Sequence, residues 1–191
     1  MFQTYIKPVL VLTLIAAVSA VMLTVTHRFT SQRMAENNAP ERYLERNVRH
    51  FQEAMPNADD FVILRKRDAA DDRRGVVAVV QAKHAGEEIG YVFAVHTRGY
   101  SVVPIQTAVG IDLDGQISGV AIMALRETPG IGDRVQNREF LDRFVTTGNT
   151  EPPTFHARAD GITGATLSAG AVIRGIEEAL QAFWEESREL C

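Results

Sequence analysis

Hydrophobic and polar positions change their period three times along this chain. Residues 8–26 carry no charged side chain. At helical rise that run just covers the roughly 30 Å hydrocarbon core of a bilayer. It is longer than the ~7–15 residues of a signal-peptide core, and only Lys7 precedes it as a basic side chain, so it reads as a retained span. Thr30 to Asn38 is polar and reads as a linker. Pro40 is suited to the first turn of a helix, where its missing N–H costs nothing. Leu44, Val48, Phe51 and Met55 then step by four, three and four along one face. Arg42, Glu45, Arg46 and Arg49 fall on the solvated side, and Pro56-Asn57 ends the helix.

From Phe61 onward the period shortens to that of strands. Five β-rich runs, Phe61–Arg65, Val76–Ala82, Ile89–Thr97, Val102–Leu113 and Gln116–Leu125, are bordered by Gly75, Gly86, Gly90 and Gly99. Asp114-Gly115 between the last two is a hairpin signal, and Asp68–Arg74 is a charged loop tip. Arg126–Arg134 contains Pro129, Gly130 and Gly132, which dictate a sharp, irregular turn. Glu139–Phe144 predicts a short helix with Phe140, Leu141 and Phe144 inward. Thr146–Pro153 reads as a loop, and Phe155–Ala159 leads into a last helix. There Ala169, Val172, Ile173, Ile176, Ala179, Leu180 and Phe183 form one apolar stripe. Arg174, Glu177, Glu178 and Gln181 lie opposite.

These elements predict an α+β architecture: an antiparallel sheet with packed helices, preceded by one N-terminal transmembrane helix. The expected organisation is an anchor over 1–27, a linker and amphipathic helix over 28–58, and the main domain over 59–191. Composition agrees, with 46% hydrophobic and 23% charged residues in a 191-residue chain. The net charge of −4 leaves no basic footprint for nucleic acid. Cys191 is the only cysteine, so an internal disulfide and a cysteine metal cluster are both excluded. His84 and His96 lack ligand spacing and are assigned no role, and no metal site is expected. There is no Rossmann fingerprint, P-loop or G-x-S-x-G elbow. No catalytic residue is assigned, and no stand-alone turnover is expected.

One stretch carries candidate chemistry. Asp160-Gly161-Ile162-Thr163-Gly164-Ala165-Thr166-Leu167-Ser168 is a small-residue, hydroxyl-rich turn that runs straight into the last helix. Thr163, Thr166 or Ser168 can serve as N-cap, and the helix start presents unpaired N–H groups that suit a phosphate. Taken alone, the stretch reads first as a capped helix and nothing more.

Thr163-Gly164-Ala165-Thr166, with Asp160 ahead and Ser168 behind, resembles the flavinylation motif of the FMN-binding domain family. Glu127-Thr128-Pro129-Gly130-Ile131-Gly132-Asp133 is similar to the E-T-P-G-x-G-D block of the same family. Gly99-Tyr100-Ser101 and Val109-Gly110-Ile111-Asp112 also fall where that family carries similar residues. The resemblance spans about residues 88–184. It points first to the G subunits of Rnf electron-transport complexes and second to the C subunits of sodium-pumping NADH:quinone reductases. It implies FMN joined to Thr166 through a phosphoester by a magnesium-dependent flavin transferase that uses FAD. Thr163, Gly164, Ala165, Ser168, Glu127, Thr128 and Gly130 are the further cofactor-binding candidates. An isolated threonine hydroxyl is a poor nucleophile, so an outside catalyst is needed. Ala124-Leu125-Arg126 departs from many relatives, which carry histidine or acidic residues there.

The implied role is a membrane-anchored electron-transfer subunit of an ion-translocating complex, with other membrane subunits as partners. The alternative is an anchored binding or assembly module of the same fold without flavin; a signal-cleaved soluble hydrolase has only the hydroxyl-rich turn in its favour. The resemblance also implies a single-pass protein of the bacterial inner membrane with its C-terminal domain outside the cytoplasm. Arg28, Arg33, Arg42, Arg46 and Arg49 follow the span, whereas Lys7 precedes it, so counting charges favours the reverse. Large domains cross largely regardless of charge, and the expectation follows the resemblance.

Overall fold

A computed structural model describes residues 2–37, 40–67, 75–145 and 165–189. The sequence expectations for 68–74, for 146–164 and for Cys191 lie outside the described residues. The chain divides into two compact units, Met1–Tyr43 and Leu44–Cys191.

The first unit is dominated by α1 (Phe2–Asn37). Within it, the 21 residues Leu10–Thr30 are long and apolar enough to cross a membrane, with a mean hydropathy of 2.1 in an 18-residue window. The supposed linker is corrected here, because Thr30 to Asn37 continues the helix. Gln32, Arg33, Met34, Ala35 and Glu36 are all strong helix formers, so polarity alone does not unwind the chain. Pro40 opens α2 (Pro40–Ala54) as its fixed φ predicts.

In the second unit a five-stranded antiparallel meander runs in the order β1-β2-β3-β4-β5. The strands are β1 (Asp60–Lys66), β2 (Gly75–His84), β3 (Glu87–Thr97), β4 (Ile105–Asp112) and β5 (Ile117–Ala124). Between β3 and β4 the register is unbroken, from Gly90 opposite Asp112 to Thr97 opposite Ile105. The β4–β5 turn closes with the Gly115 N–H on the Asp112 carbonyl at 3.0 Å. The Asp112 carboxylate accepts from the N–H groups of Asp114 and Gln116, so it braces the turn from inside.

The two faces of the sheet differ in size. On one face Val79, Phe93, Val95, Val109, Ile111 and Val120 form a large-residue surface. Against it lies α4 (Thr166–Glu189), whose Ala169, Val172, Ile173, Ile176, Ala179, Leu180 and Phe183 are all buried, as the apolar stripe predicts. Each fully buried aliphatic or aromatic side chain there contributes about 1.5–3 kcal/mol relative to exposure. The other face carries small residues. Gly110 lies opposite Gly119, and Ala108 lies opposite both Ala94 and Ala121. This lets the end of α2 descend onto the sheet: a Cβ at Gly110 would stand 2.1 Å from the Ala54 carbonyl oxygen. Phe51, Ala54 and Met55 are buried on that side.

One strand expectation is corrected at its start. Residues 98–104 form a loop, not the beginning of β4. Pro104 cannot donate to a ladder, and Val102 is 87% exposed, so neither residue fits a half-buried strand. Beyond β5 come a 3₁₀ turn over Gly132–Gln136, a one-turn helix α3 (Arg138–Leu141) and a second 3₁₀ turn over Asp142–Phe144. Phe140, Leu141 and Phe144 point into the core, with Phe140 and Phe144 edge to face at 5.3 Å.

Candidate functional site

Three segments distant in sequence meet beside the first turn of α4. They are the β3–β4 loop, the turn after β5, and Ala165–Ser168. Together they line a cavity of about 490 Å³ with Tyr100, Glu127, Thr128, Ile131, Gly132, Ala165, Thr166, Leu167 and Ser168. That size is within the usual range for a small organic ligand or cofactor. Tyr100, Ile131 and Leu167 supply apolar and aromatic wall, each substantially exposed toward the opening.

Glu127 joins the three segments. One carboxylate oxygen accepts from the Ser101 N–H at 3.1 Å, and the other accepts from the Ser168 hydroxyl at 2.9 Å. The turn after β5 is tightened separately. Both the Ile131 and Gly132 N–H groups donate to the Thr128 carbonyl, at 3.2 and 3.0 Å. This is the sharp backbone that Pro129, Gly130 and Gly132 foretell. Gly99 and Gly132 sit against Glu127 so closely that a Cβ on either would stand 2.6 and 2.7 Å from it.

The helix start arranges its hydroxyls in opposite senses. Thr166 is the first residue of α4 and is exposed, whereas Ser168 is 3% exposed. Two helical steps turn a side chain by about 200°, so an inward Ser168 sets Thr166 outward at the cavity mouth. Ser168 is therefore not the N-cap: it lies inside the first turn, with its hydroxyl committed to Glu127. The Ala169 N–H closes that turn on the Ala165 carbonyl at 2.8 Å.

Of the sequence candidates, Thr166, Ala165, Ser168, Glu127 and Thr128 line the cavity. Gly130 is in the adjoining turn at φ +75° and does not line it. Thr163 and Gly164 lie outside the described residues. Tyr100, Ile131, Gly132 and Leu167 are lining residues absent from that candidate set. Gly132 and Ile131 are visible inside the E-T-P-G-x-G-D block, and Tyr100 beside Gly99, but no local pattern marks them as wall. A second hollow of about 530 Å³ lies between Arg65, Lys66, Arg67 and the α4 residues Glu178 and Glu185. It contains none of the motif residues and mixes both signs of charge. Burial raises the Glu178 carboxyl above its ordinary value, with Arg174 opposing the shift and Glu177 adding to it. Glu178, on the side of α4 opposite the apolar stripe, is thus half-buried.

Residues 99–181 match the family model for the FMN-binding domain, a stretch that includes every residue of the cavity. Along nearly its whole length the chain is similar to proteins described as the G subunits of ion-translocating complexes. One is the G subunit of the ion-translocating oxidoreductase complex of Aliivibrio fischeri, 28% identical over 204 aligned positions, 100% of this chain and 95% of that protein. Another is the G subunit of the Na(+)-translocating ferredoxin:NAD(+) oxidoreductase complex of Acetobacterium woodii, 29% identical, covering 94% of this chain and 91% of that protein. Among solved structures, the C subunit of the Na(+)-translocating NADH-quinone reductase of Parabacteroides distasonis aligns with a TM-score of 0.49 at 17% identity, over 74% of this chain and 94% of that one.

Proposed function

We propose that the chain is a membrane-anchored electron-transfer subunit of an Rnf-type ion-translocating oxidoreductase complex, carrying FMN bonded through a phosphoester to Thr166. The observation that carries this reading is the exposed Thr166 in the lining of a cavity to which both family motifs contribute. The residues present fit the group. The hollow is of cofactor size, Tyr100, Ile131 and Leu167 offer apolar surface to a flat ring, and the threonine hydroxyl supplies the bonding oxygen. The helix start also favours a phosphodiester charge, by roughly 0.3–1 kcal/mol. That is far too little to retain a cofactor, so retention falls to the covalent bond.

In maturation the Thr166 Oγ1 forms a bond to the flavin-side phosphorus of FAD. The pyrophosphate bond breaks, AMP leaves, and the hydroxyl proton passes to a base of the flavin transferase. Bound FMN would supply one- and two-electron redox chemistry, while the chain's residues position it and exclude water from part of its surface. Other membrane subunits would deliver and accept the electrons. In this reading the Leu10–Thr30 helix is the anchor and the C-terminal unit is outside the cytoplasm.

The test is a denaturing gel of the full chain co-expressed with a bacterial flavin transferase. A fluorescent band at the protein's mass is expected, and Thr166→Val is expected to lose all of it while remaining expressed and membrane-bound. Valine is nearly isosteric but has no oxygen to bond phosphorus. Covalent flavin retained in Thr166→Val would move the attachment to another hydroxyl, Thr163 or Ser168 first. A dark wild-type band beside an active transferase would favour a flavin-free module of the same fold.

A further inference from the structure

The hydrogen bonds of Glu127 bear on how Thr166 is presented, and the inference rests on the reading of Thr166 as the attachment site. Both carboxylate oxygens are already engaged within the protein, one on the Ser101 N–H and one on the Ser168 hydroxyl. The same side chain is hemmed in by Gly99 and Gly132, where a Cβ would stand 2.6 and 2.7 Å from its nearest atoms. A carboxylate so enclosed and so occupied is a poor candidate for a flexible ligand to a cofactor. It is well placed as a tether between the β3–β4 loop, the post-β5 turn and the first turn of α4.

We infer that Glu127 is a positioning residue whose bond to Ser168 sets the rotation of the α4 first turn and thereby holds the Thr166 hydroxyl outward for flavin transfer. The geometry follows from the helix itself. Residues 166 and 168 are turned by about 200° from one another, so fixing Ser168 against the core leaves Thr166 only the solvent side. The N-terminal turn is also where helices fray, because its leading N–H groups lack intrahelical partners. One side-chain tether there controls more than it would in mid-helix. Gly99 and Gly132 have the same explanation: they leave the volume that the Glu127 side chain fills.

The experiment uses the full-length apo chain in detergent micelles, purified flavin transferase, FAD and Mg²⁺. It compares Glu127→Ala, Ser168→Ala, the double variant and Glu127→Gln. Initial rates of covalent labelling are read with the acceptor chain varied. In parallel, hydrogen exchange is followed at the Ala169 amide, which closes the first turn, and at Ile176 in the middle of α4.

Glu127→Ala and Ser168→Ala are each expected to lower the labelling kcat about tenfold or more with little change in KM for the acceptor. The double variant is expected to fall no further than the worse single one, because both remove one interaction. Glu127→Gln is expected to restore most of the rate, since its amide oxygen can accept from Ser101 and its amide nitrogen can donate to Ser168. Protection at Ala169 should drop in the alanine variants and recover in Glu127→Gln, with Ile176 unchanged.

Wild-type rate and Ala169 protection in Glu127→Ala would overturn the inference. So would multiplicative loss in the double variant, or a glutamine variant as slow as alanine, which would mean that the charge itself takes part. Equal loss of protection at Ala169 and Ile176 would reduce Glu127 to general stability and also overturn it. If the wild type accepts no flavin, the functional reading fails, yet the exchange comparison still decides whether the tether exists.

Discussion

Gly132→Ala tests how closely the site is packed. The glycine has no positive φ, so alanine is tolerated by the backbone there, and any cost must come from contacts. Its Cβ would stand 2.7 Å from the Glu127 Cβ, 2.9 Å from the Ser168 Oγ and 3.0 Å from the Glu127 Oε2. The first neighbour is the root of a side chain and not a flexible tip, so the turn itself must shift. Inserting a methyl into packed structure costs about 1–3 kcal/mol. If the shift also breaks the Ser168–Glu127 hydrogen bond, a bond to a charged acceptor adds about 1.5–3 kcal/mol. With both effects the expected total is about 2.5–6 kcal/mol, against the 5–15 kcal/mol typical of whole domains. The variant should fold, with a clearly lowered unfolding midpoint. Trp184, the only tryptophan, packs on Phe183 at 5.3 Å and so reports unfolding of this unit. The assay is urea unfolding of the apo chain in micelles, followed by Trp184 fluorescence. Gly130→Ala is the comparator. No atom comes within 4 Å of its added Cβ, but its φ is +75°, so it should lose only about 1–2 kcal/mol through backbone strain. A Gly132→Ala loss no larger than that of Gly130→Ala would refute the packing argument.

Gly110→Ala should destabilise more severely than either, because its Cβ meets the Ala54 backbone carbonyl at 2.1 Å and no side chain can swing aside; the same urea series reads it. Glu178→Gln should change the pH dependence of stability. The folded-state pKa of Glu178 is raised by burial, so the native state holds its proton more tightly than the unfolded chain. Stability from this group is fully present below its ordinary value near 4.5 and is lost as pH rises through the raised folded value. Glu178→Gln should therefore be more stable than wild type at pH 7, with the advantage fading toward pH 4. An unchanged difference across that range in urea midpoints would contradict the burial argument. For topology, single cysteines at Gln3 and Asn149 in a Cys191→Ser background should label only at Asn149 when intact cells meet a membrane-impermeant thiol reagent. The reverse pattern would place the C-terminal unit in the cytoplasm.

Much of this protein was legible in one dimension, because the information there is periodic. The stripe from Ala169 to Phe183 and the β-rich runs follow the period of their own secondary structure, and the charge-free run over 8–26 stands out by its length. Glycine and proline punctuation placed the turn after β5, since few other residues build such a bend. Where composition replaced periodicity as the guide, the reading slipped. Thr30–Asn37 is helical because its residues favour helix, and Val102–Pro104 is loop because Pro104 cannot join a ladder.

The site divides along the same line. Thr166 and the Glu127 block stood out by composition and by likeness to a family. Their proximity did not, since 41 residues separate Glu127 from Ser168 and no pattern in the intervening chain couples them. Only folding brings the carboxylate to that hydroxyl and to the Ser101 N–H, and so gives Gly99 and Gly132 their reason for lacking a Cβ. It likewise decided that Ser168 turns inward while Thr166 stays exposed, because the rotation of a helix about its own axis is set by what its buried face packs against.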